Sequence, residues 1–248
     1  KIRGIMVKQL VCIFATCWLI ATAAVAEGGD ADAQYYWPQW RGPLSSGVAP
    51  YANPPVEWSE TKNIRWKIEL PGEGHSTPIV WGDRIFITAV VPYGEALSPR
   101  YSGALGGHDE IPITHHYKFI VIAVNRLDGK ILWQRTVREE LPHAGGHYTA
   151  SLAPHSPVTD GEHLFAYFGS YGLYGLDLDG ELLWETDLGP MHTLHGHGEG
   201  SSPALYRNTI IINRDHEGPS FVVAFDKRTG KERWKVSRDG GSSWTTPI

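Results

Sequence analysis

From residue 76 onward the apolar positions fall in short, β-rich runs bounded by turn residues such as Gly, Asp and Asn. Residues 78–81 turn at Gly82-Asp83 into 84–90, and after a long polar excursion 117–124 turns at Asp128-Gly129 into 130–137. The same order returns as 157–159, 164–168, 172–176 and 182–186, with turns at Asp160-Gly161 and Asp179-Gly180. It returns again as 204–206, 209–213, 220–225 and 232–236. The pattern predicts units of four antiparallel strands.

The units are copies of one another. Ala123-Val-Asn125-Arg-Leu-Asp128-Gly129-Lys-Ile-Leu-Trp133 recurs with one deletion as Gly175-Leu-Asp177-Leu-Asp179-Gly180-Glu-Leu-Leu-Trp184, and then as Ala224-Phe-Asp226-Lys-Arg-Thr229-Gly230-Lys-Glu-Arg-Trp234. The tryptophans stand 51 and 50 residues apart. A second mark opens each unit: a hydroxyl residue and proline, at Thr77-Pro78, Ser156-Pro157, Ser202-Pro203 and Thr246-Pro247. A four-stranded sheet at a period of 40 to 50 residues predicts an all-β fold, a β-propeller of four-stranded antiparallel blades with about three complete blades present. In the motif, Gly supplies a positive φ, Asp or Thr bonds turn amides, and Trp presents a flat face to the neighbouring sheet. Gly129, Gly180 and Gly230 with Trp133, Trp184 and Trp234 are therefore expected to be structural.

The pattern A-x-D-x-x-T-G-x-x-x-W, matched at every fixed position by residues 224–234, resembles the tryptophan-docking motif of PQQ-like propellers. That family includes quinoprotein alcohol dehydrogenases and the propeller lipoprotein of the β-barrel assembly machinery. The resemblance covers residues 63 to the end. It implies a ring of seven or eight blades, so further blades are expected beyond residue 248. It specifies scaffold more strongly than chemistry.

Composition changes this picture mainly at the start. Lys1, Arg3 and Lys8 precede an apolar stretch from Leu10 to Ala24, and Ala24-Val25-Ala26 has the small-residue form of a cleavage site. Residues 1–26 are read as a signal peptide and the protein as periplasmic or secreted, with no membrane span after cleavage. Cleavage would take the net charge from −5 to −8 and remove both cysteines, Cys12 and Cys17, so no disulfide is expected. No cluster of Lys and Arg interleaved with aromatics is present, which argues against nucleic acid as a partner.

The expected organisation follows. Residues 27–62 form a Pro- and Trp-rich segment packed on a partial propeller of residues 63–248. Within it, 63–70 is a ring-closing outer strand, 76–138 a blade with an insertion at 92–116, 156–188 and 201–238 two further blades, and 242–248 the start of another.

Blade topology sends the first-to-second and third-to-fourth turns to one face and all other connections to the opposite face. The first face receives only tight turns. The second receives the insertion and the long loops, together with eleven of the 12 histidines. Irregular loops on a rigid scaffold are where binding sits. His75, His155, His195, His197, Glu199, Asp215 and Glu217 are the candidate ligand-binding residues of this face.

His192, His195 and His197 beside Glu199 are candidate metal ligands, as are His143, His147 and His155 across the neighbouring loop; three imidazoles and a carboxylate suit zinc, while Asp215 and Glu217 offer oxygens suited to calcium. The alternative is that these histidines line a polar mouth or bond loop backbone. For function, a binding scaffold for a protein or small-molecule ligand is favoured. The other reading that the resemblance implies is a PQQ-dependent alcohol or sugar dehydrogenase with PQQ and a divalent ion on the same face. No catalytic residue is assigned, and no vicinal cysteine pair is present to contact PQQ.

Overall fold

The computed structural model describes residues 33–248, so the expected signal peptide and both cysteines lie outside the described residues. In chain order the strands are β1 (Ile79–Trp81), β2 (Arg84–Tyr93), β3 (Glu110–Ile111), β4 (His116–Asn125), β5 (Ile131–Glu140), β6 (Gly146–His147) and β7 (Val158–Thr159). There follow β8 (His163–Tyr167), β9 (Leu173–Asp177), β10 (Leu182–Thr186), β11 (Ala204–Tyr206), β12 (Thr209–Arg214), β13 (Phe221–Asp226) and β14 (Glu232–Ser237). They form three antiparallel sheets in the orders β1-β2-β4-β5, β7-β8-β9-β10 and β11-β12-β13-β14, which are three blades of a β-propeller. A ribbon of β3 and β6 joins the insertion in the first blade to the loop that follows it.

The blades stack face to face, and the period-two pattern decides which residue faces which neighbour. In β4 the unbroken apolar run is buried on both sides. Phe119, Val121 and Ala123 pack towards Leu164, Ala166, Tyr174 and Leu176 of the second blade. Ile120, Ile122 and Val124 pack against Trp66, Ile68 and Leu70 instead. A second core, built from Val158, Phe165, Tyr167 and Leu173 with Ile210, Ile212, Val223 and Phe225, lies between the second and third blades. Residues 63–70 are not paired into a sheet, but they cover the first blade as a preceding blade would.

Each part of the repeated motif has a physical reason. Its small first residue pairs with its tryptophan, as Ala123 with Trp133, Gly175 with Trp184 and Ala224 with Trp234, because the indole lies over that position. A bulge recurs in all three pairings at the residue before the tryptophan, Leu132, Leu183 or Arg233, and re-aims the ring. Asn125, Asp177 and Asp226 accept turn amides with their side chains. The ring then docks on the glycine of the following blade's turn, where its N–H donates to a backbone carbonyl: Trp133 to Leu178 O at 3.0 Å and Trp184 to Lys227 O at 2.9 Å. Trp66 repeats this on Gly129, donating to Arg126 O at 2.9 Å.

The hydroxyl-proline mark makes a second stitch at the opposite end of the inner strands. The amide of Thr77 donates to Ser156 Oγ at 2.9 Å, that of Ser156 to Ser202 Oγ at 2.9 Å, and that of Ser202 to Thr246 Oγ1 at 3.0 Å. The free edge of β1 is covered by Trp37, which exchanges two backbone hydrogen bonds with Val80, while Thr159 donates to Pro38 O.

Removal of a docked indole should act on stability. Trp184→Ala is expected to cost about 3–5 kcal/mol. Gly230→Ala should also destabilise, because Gly230 has φ 65° and an added Cβ would lie 2.4 Å from Trp184 Cε3. Urea midpoints check both; an unchanged midpoint for Trp184→Ala would remove the docking role.

Candidate functional site

The connections from second to third strand and from blade to blade gather on one face, where hydrogen bonds tie the loops of the second and third blades together. The chain leaves β8 through a single 3-10 turn, Gly169–Tyr171, and the loop of residues 187–203 folds over it. Glu199 is the contact. It accepts the Ser170 amide at 2.7 Å and the Ser170 hydroxyl, while Ser170 Oγ also accepts the Met191 amide at 2.7 Å. Only glycine can stand beside this carboxylate: Gly169 has φ 60°, and a Cβ there would fall 1.5 Å from Glu199 Oε2. Enclosure pushes the Glu199 pKa up, against the pull of the Ser170 hydrogen bonds and the Arg214 cation.

Arg214, at the end of β12, is 1% exposed. Its terminal nitrogens donate to Gly169 O at 3.3 Å and Gly189 O at 2.7 Å, so it ties the third blade to both loops. His155 is buried beside it, with its ring edge-on to Tyr167 at 4.8 Å between centroids, and neither ring nitrogen has a hydrogen-bond partner. Burial, reinforced by Arg214, drives the His155 pKa down to about 3, which keeps the imidazole neutral. His155 and Glu199 line one cavity with His143, Tyr171, Met191 and Thr193. Its volume of ≈ 20 Å³ has room for a single water.

The remaining candidates separate. His75 is exposed, and its amide is bonded to Ala153 O beside the same loop. Asp215 is buried in a bidentate pair with Arg238, at 2.7 and 3.1 Å, and Glu217 accepts both the amide and the hydroxyl of Ser242. Of the three histidines grouped by their spacing, His195 and His197 stay together, with ring centroids 5.5 Å apart. His192 turns instead to His143, at 5.8 Å. The places at His195 and His197 are taken by His108 from the insertion and His147 from the preceding loop.

Ser170, Arg214, Tyr167 and His108 were not singled out by sequence reasoning. One signal was available for Arg214, a cation that follows the apolar run Ile210-Ile211-Ile212 and Asn213 at a strand end. Among the described residues no helix is long and apolar enough to cross a membrane.

The chain was compared with known proteins. A family model described as "Outer membrane protein assembly factor BamB" matches residues 113–245. A polyvinylalcohol dehydrogenase from Pseudomonas sp is 24% identical over an alignment that takes in 71% of this chain and 36% of that protein. Among solved structures, the quinohemoprotein alcohol dehydrogenase ADHIIG from Pseudomonas putida HK5 aligns at 16% identity with a TM-score of 0.41, over 69% of this chain and 22% of that one. BamB from Moraxella catarrhalis aligns at 15% identity with a TM-score of 0.36, over 71% and 55%. The chain thus spans about a third of its curated relative.

The buried neutral His155 should leave a mark on acid stability. The unfolded imidazole takes up a proton below about pH 6.5, while the folded one stays neutral down to about pH 3. The unfolded state therefore binds more protons across that window, and stability falls as pH drops through it. His155→Gln should flatten the fall, measured as urea midpoints at pH 7, 5.5 and 4.5; an unchanged slope would contradict the assignment.

Proposed function

The chain belongs to the PQQ-like repeat family whose model is described as outer membrane protein assembly factor BamB, and from this membership and the loop-face geometry we propose that it is a binding scaffold. It holds a polar ligand or a protein against the irregular face of its propeller. One observation carries the reading. Among the described residues, six buried side-chain polar atoms lack a hydrogen-bond partner, on His155, Tyr167, His197, Asn213 and Arg214. All of them lie on the irregular face. Native proteins leave few such atoms, and a cluster of them marks polar capacity that water or a ligand completes.

The same loops expose Leu105 at 96%, Tyr148 at 64% and Tyr101 at 60%, which gives a protein partner apolar anchors around that polar centre. In this reading residues 63–70 are the ring-closing outer strand, since Trp66 sits on Gly129 as Trp133 sits on Gly180. The charged and apolar start with its A-x-A site, together with the family's description as an outer membrane assembly factor, supports export to the cell envelope.

A second reading, a dehydrogenase, is favoured by the similarity to polyvinylalcohol dehydrogenase. The Glu199 cavity does not fit PQQ, a quinone bearing carboxylates. The cavity lining contains no Lys or Arg and does contain the Glu199 carboxylate, and Arg214 spends its terminal nitrogens on backbone carbonyls. Nor is a calcium site supported by Asp215, whose oxygens are held by Arg238.

The test is site-specific photocrosslinking in the full-length protein. A photoreactive residue at Leu105 or Tyr148, on the loop face, should give discrete adducts. At Leu127 or Tyr206, both exposed by the tight turns, it should give none. Equal labelling from both faces, or dye reduction with polyvinyl alcohol that depends on added PQQ and calcium, would overturn the scaffold reading.

A further inference from the structure

The loop face carries a second constellation, separate from the Glu199 cavity. His108 in the insertion, His147 in the following loop, and His195 and His197 in the next are brought together by three loops. The β3–β6 ribbon pairs Glu110 with His147. The His147 amide donates to His197 O at 3.1 Å, and His195 Nδ1 lies 3.1 Å from Gly106 O. Ring centroids are 5.0 Å apart for His108 and His195, 4.8 Å for His108 and His197, 5.0 Å for His147 and His197, and 5.5 Å for His195 and His197. Imidazoles sharing one tetrahedral ion at a nitrogen–metal distance of 2.0–2.1 Å keep their centroids about 5 Å apart, a spacing shared by all three pairs among His108, His195 and His197, with His147 at this spacing from His197.

We infer that these four histidines form a binding site for a borderline transition-metal ion, of which zinc is the type. At His108 and His195 the outer contacts are those such a site requires. Nδ1 of His108 meets Asp109 Oδ2 at 3.1 Å and Nδ1 of His195 meets the Gly106 carbonyl, an arrangement that fixes the tautomer and leaves Nε2 as the ligand atom. His147 differs, since its Nδ1 accepts the Thr149 amide at 3.3 Å and lies 2.8 Å from Thr149 Oγ1, so its ring must change tautomer to join the others. The Nε2 atom of His197, at the centre of the group, is buried and has no partner.

The backbone is bent to serve this grouping. His195 sits in the left-handed region at φ 56°, a conformation unusual outside glycine, and with Gly196 at φ 71° it turns two imidazoles to the same side. Glu110 lies against Gly196, accepts the Ser102 amide at 2.9 Å, and places a negative charge beside the site. A shared ion requires these rings to turn until their free nitrogens meet. Among the described residues the group whose donor atoms already lie within 4.8 Å of one another is Asp160, Glu162 and His163. That group is a blade turn, with Asp160 engaged by Lys227 at 2.7 Å and by two turn amides. Neutral imidazoles select zinc, copper or nickel over calcium and magnesium, which take oxygen ligands. The inference does not rest on the scaffold reading.

The test uses the full-length, tag-free protein stripped with a chelator. Zinc is titrated by calorimetry and cobalt by visible absorption. One equivalent should bind, with intense tetrahedral cobalt bands. The double variant His108→Ala/His197→Ala should bind at least about tenfold more weakly and lose the bands, while His75→Ala and His163→Ala bind as the parent does. Circular dichroism confirms folding. The single variant His108→Asn, on the surface insertion, repeats the test should the double variant unfold. Absence of a stoichiometric site, octahedral cobalt only, or full binding by the variants overturns the inference.

Discussion

The stack depends on a tryptophan of one blade lying on a glycine of the next. An indole that buries ~150–250 Å² is worth about 4–6 kcal/mol at 25 cal/mol per Å². That is of the order of a whole domain's net stability. The contact is also directional, since the indole N–H of Trp133 and of Trp184 finds a carbonyl in the neighbouring turn. A larger residue at Gly180 or Gly230 would meet the ring itself. The turns on that face are therefore held short and nearly invariant in shape, and variation in the chain is expelled to the opposite face.

There the chain is free to be long, but it is not loose. The belt from Thr77 through Ser156 and Ser202 to Thr246 holds the inner ends of the blades in register. Arg214 reaches from the third blade to the carbonyls of Gly169 and Gly189, and Ser170 of the second blade holds Glu199 of the next connection. The polar centre is thus assembled from residues of different blades, and it exists only when the blades are docked. The docked indoles on one face and the polar centre on the other are two ends of the same stack.

The three four-stranded units, their turns and the docking tryptophans were legible in the sequence because each is written locally, in short apolar runs bounded by turns and in a motif repeated at fixed spacing. The bulge before each tryptophan was not, because Leu132, Leu183 and Arg233 share no chemistry; only the paired register reveals them. Thr77-Pro78 and its repeats were visible as a mark, but their hydrogen bonds run between units and have no local signature. The histidines show the same limit. Spacing groups His192 with His195 and His197, whereas the fold sends His192 to His143 and imports His108 from an insertion nearly ninety residues away. Loops without periodicity carry their partners in three dimensions alone.

The offset between motif and contact has a consequence for how such chains grow. Trp184 ends one repeat, yet its seat, Gly230, belongs to the next. Any tandem duplication that copies a whole repeat therefore delivers a plug and a socket together, whichever residue the break point falls on. Lengthening is self-compatible, and the dock sets no limit on the number of copies. That number must be set by something else, the wedge angle at which neighbouring sheets meet around a ring.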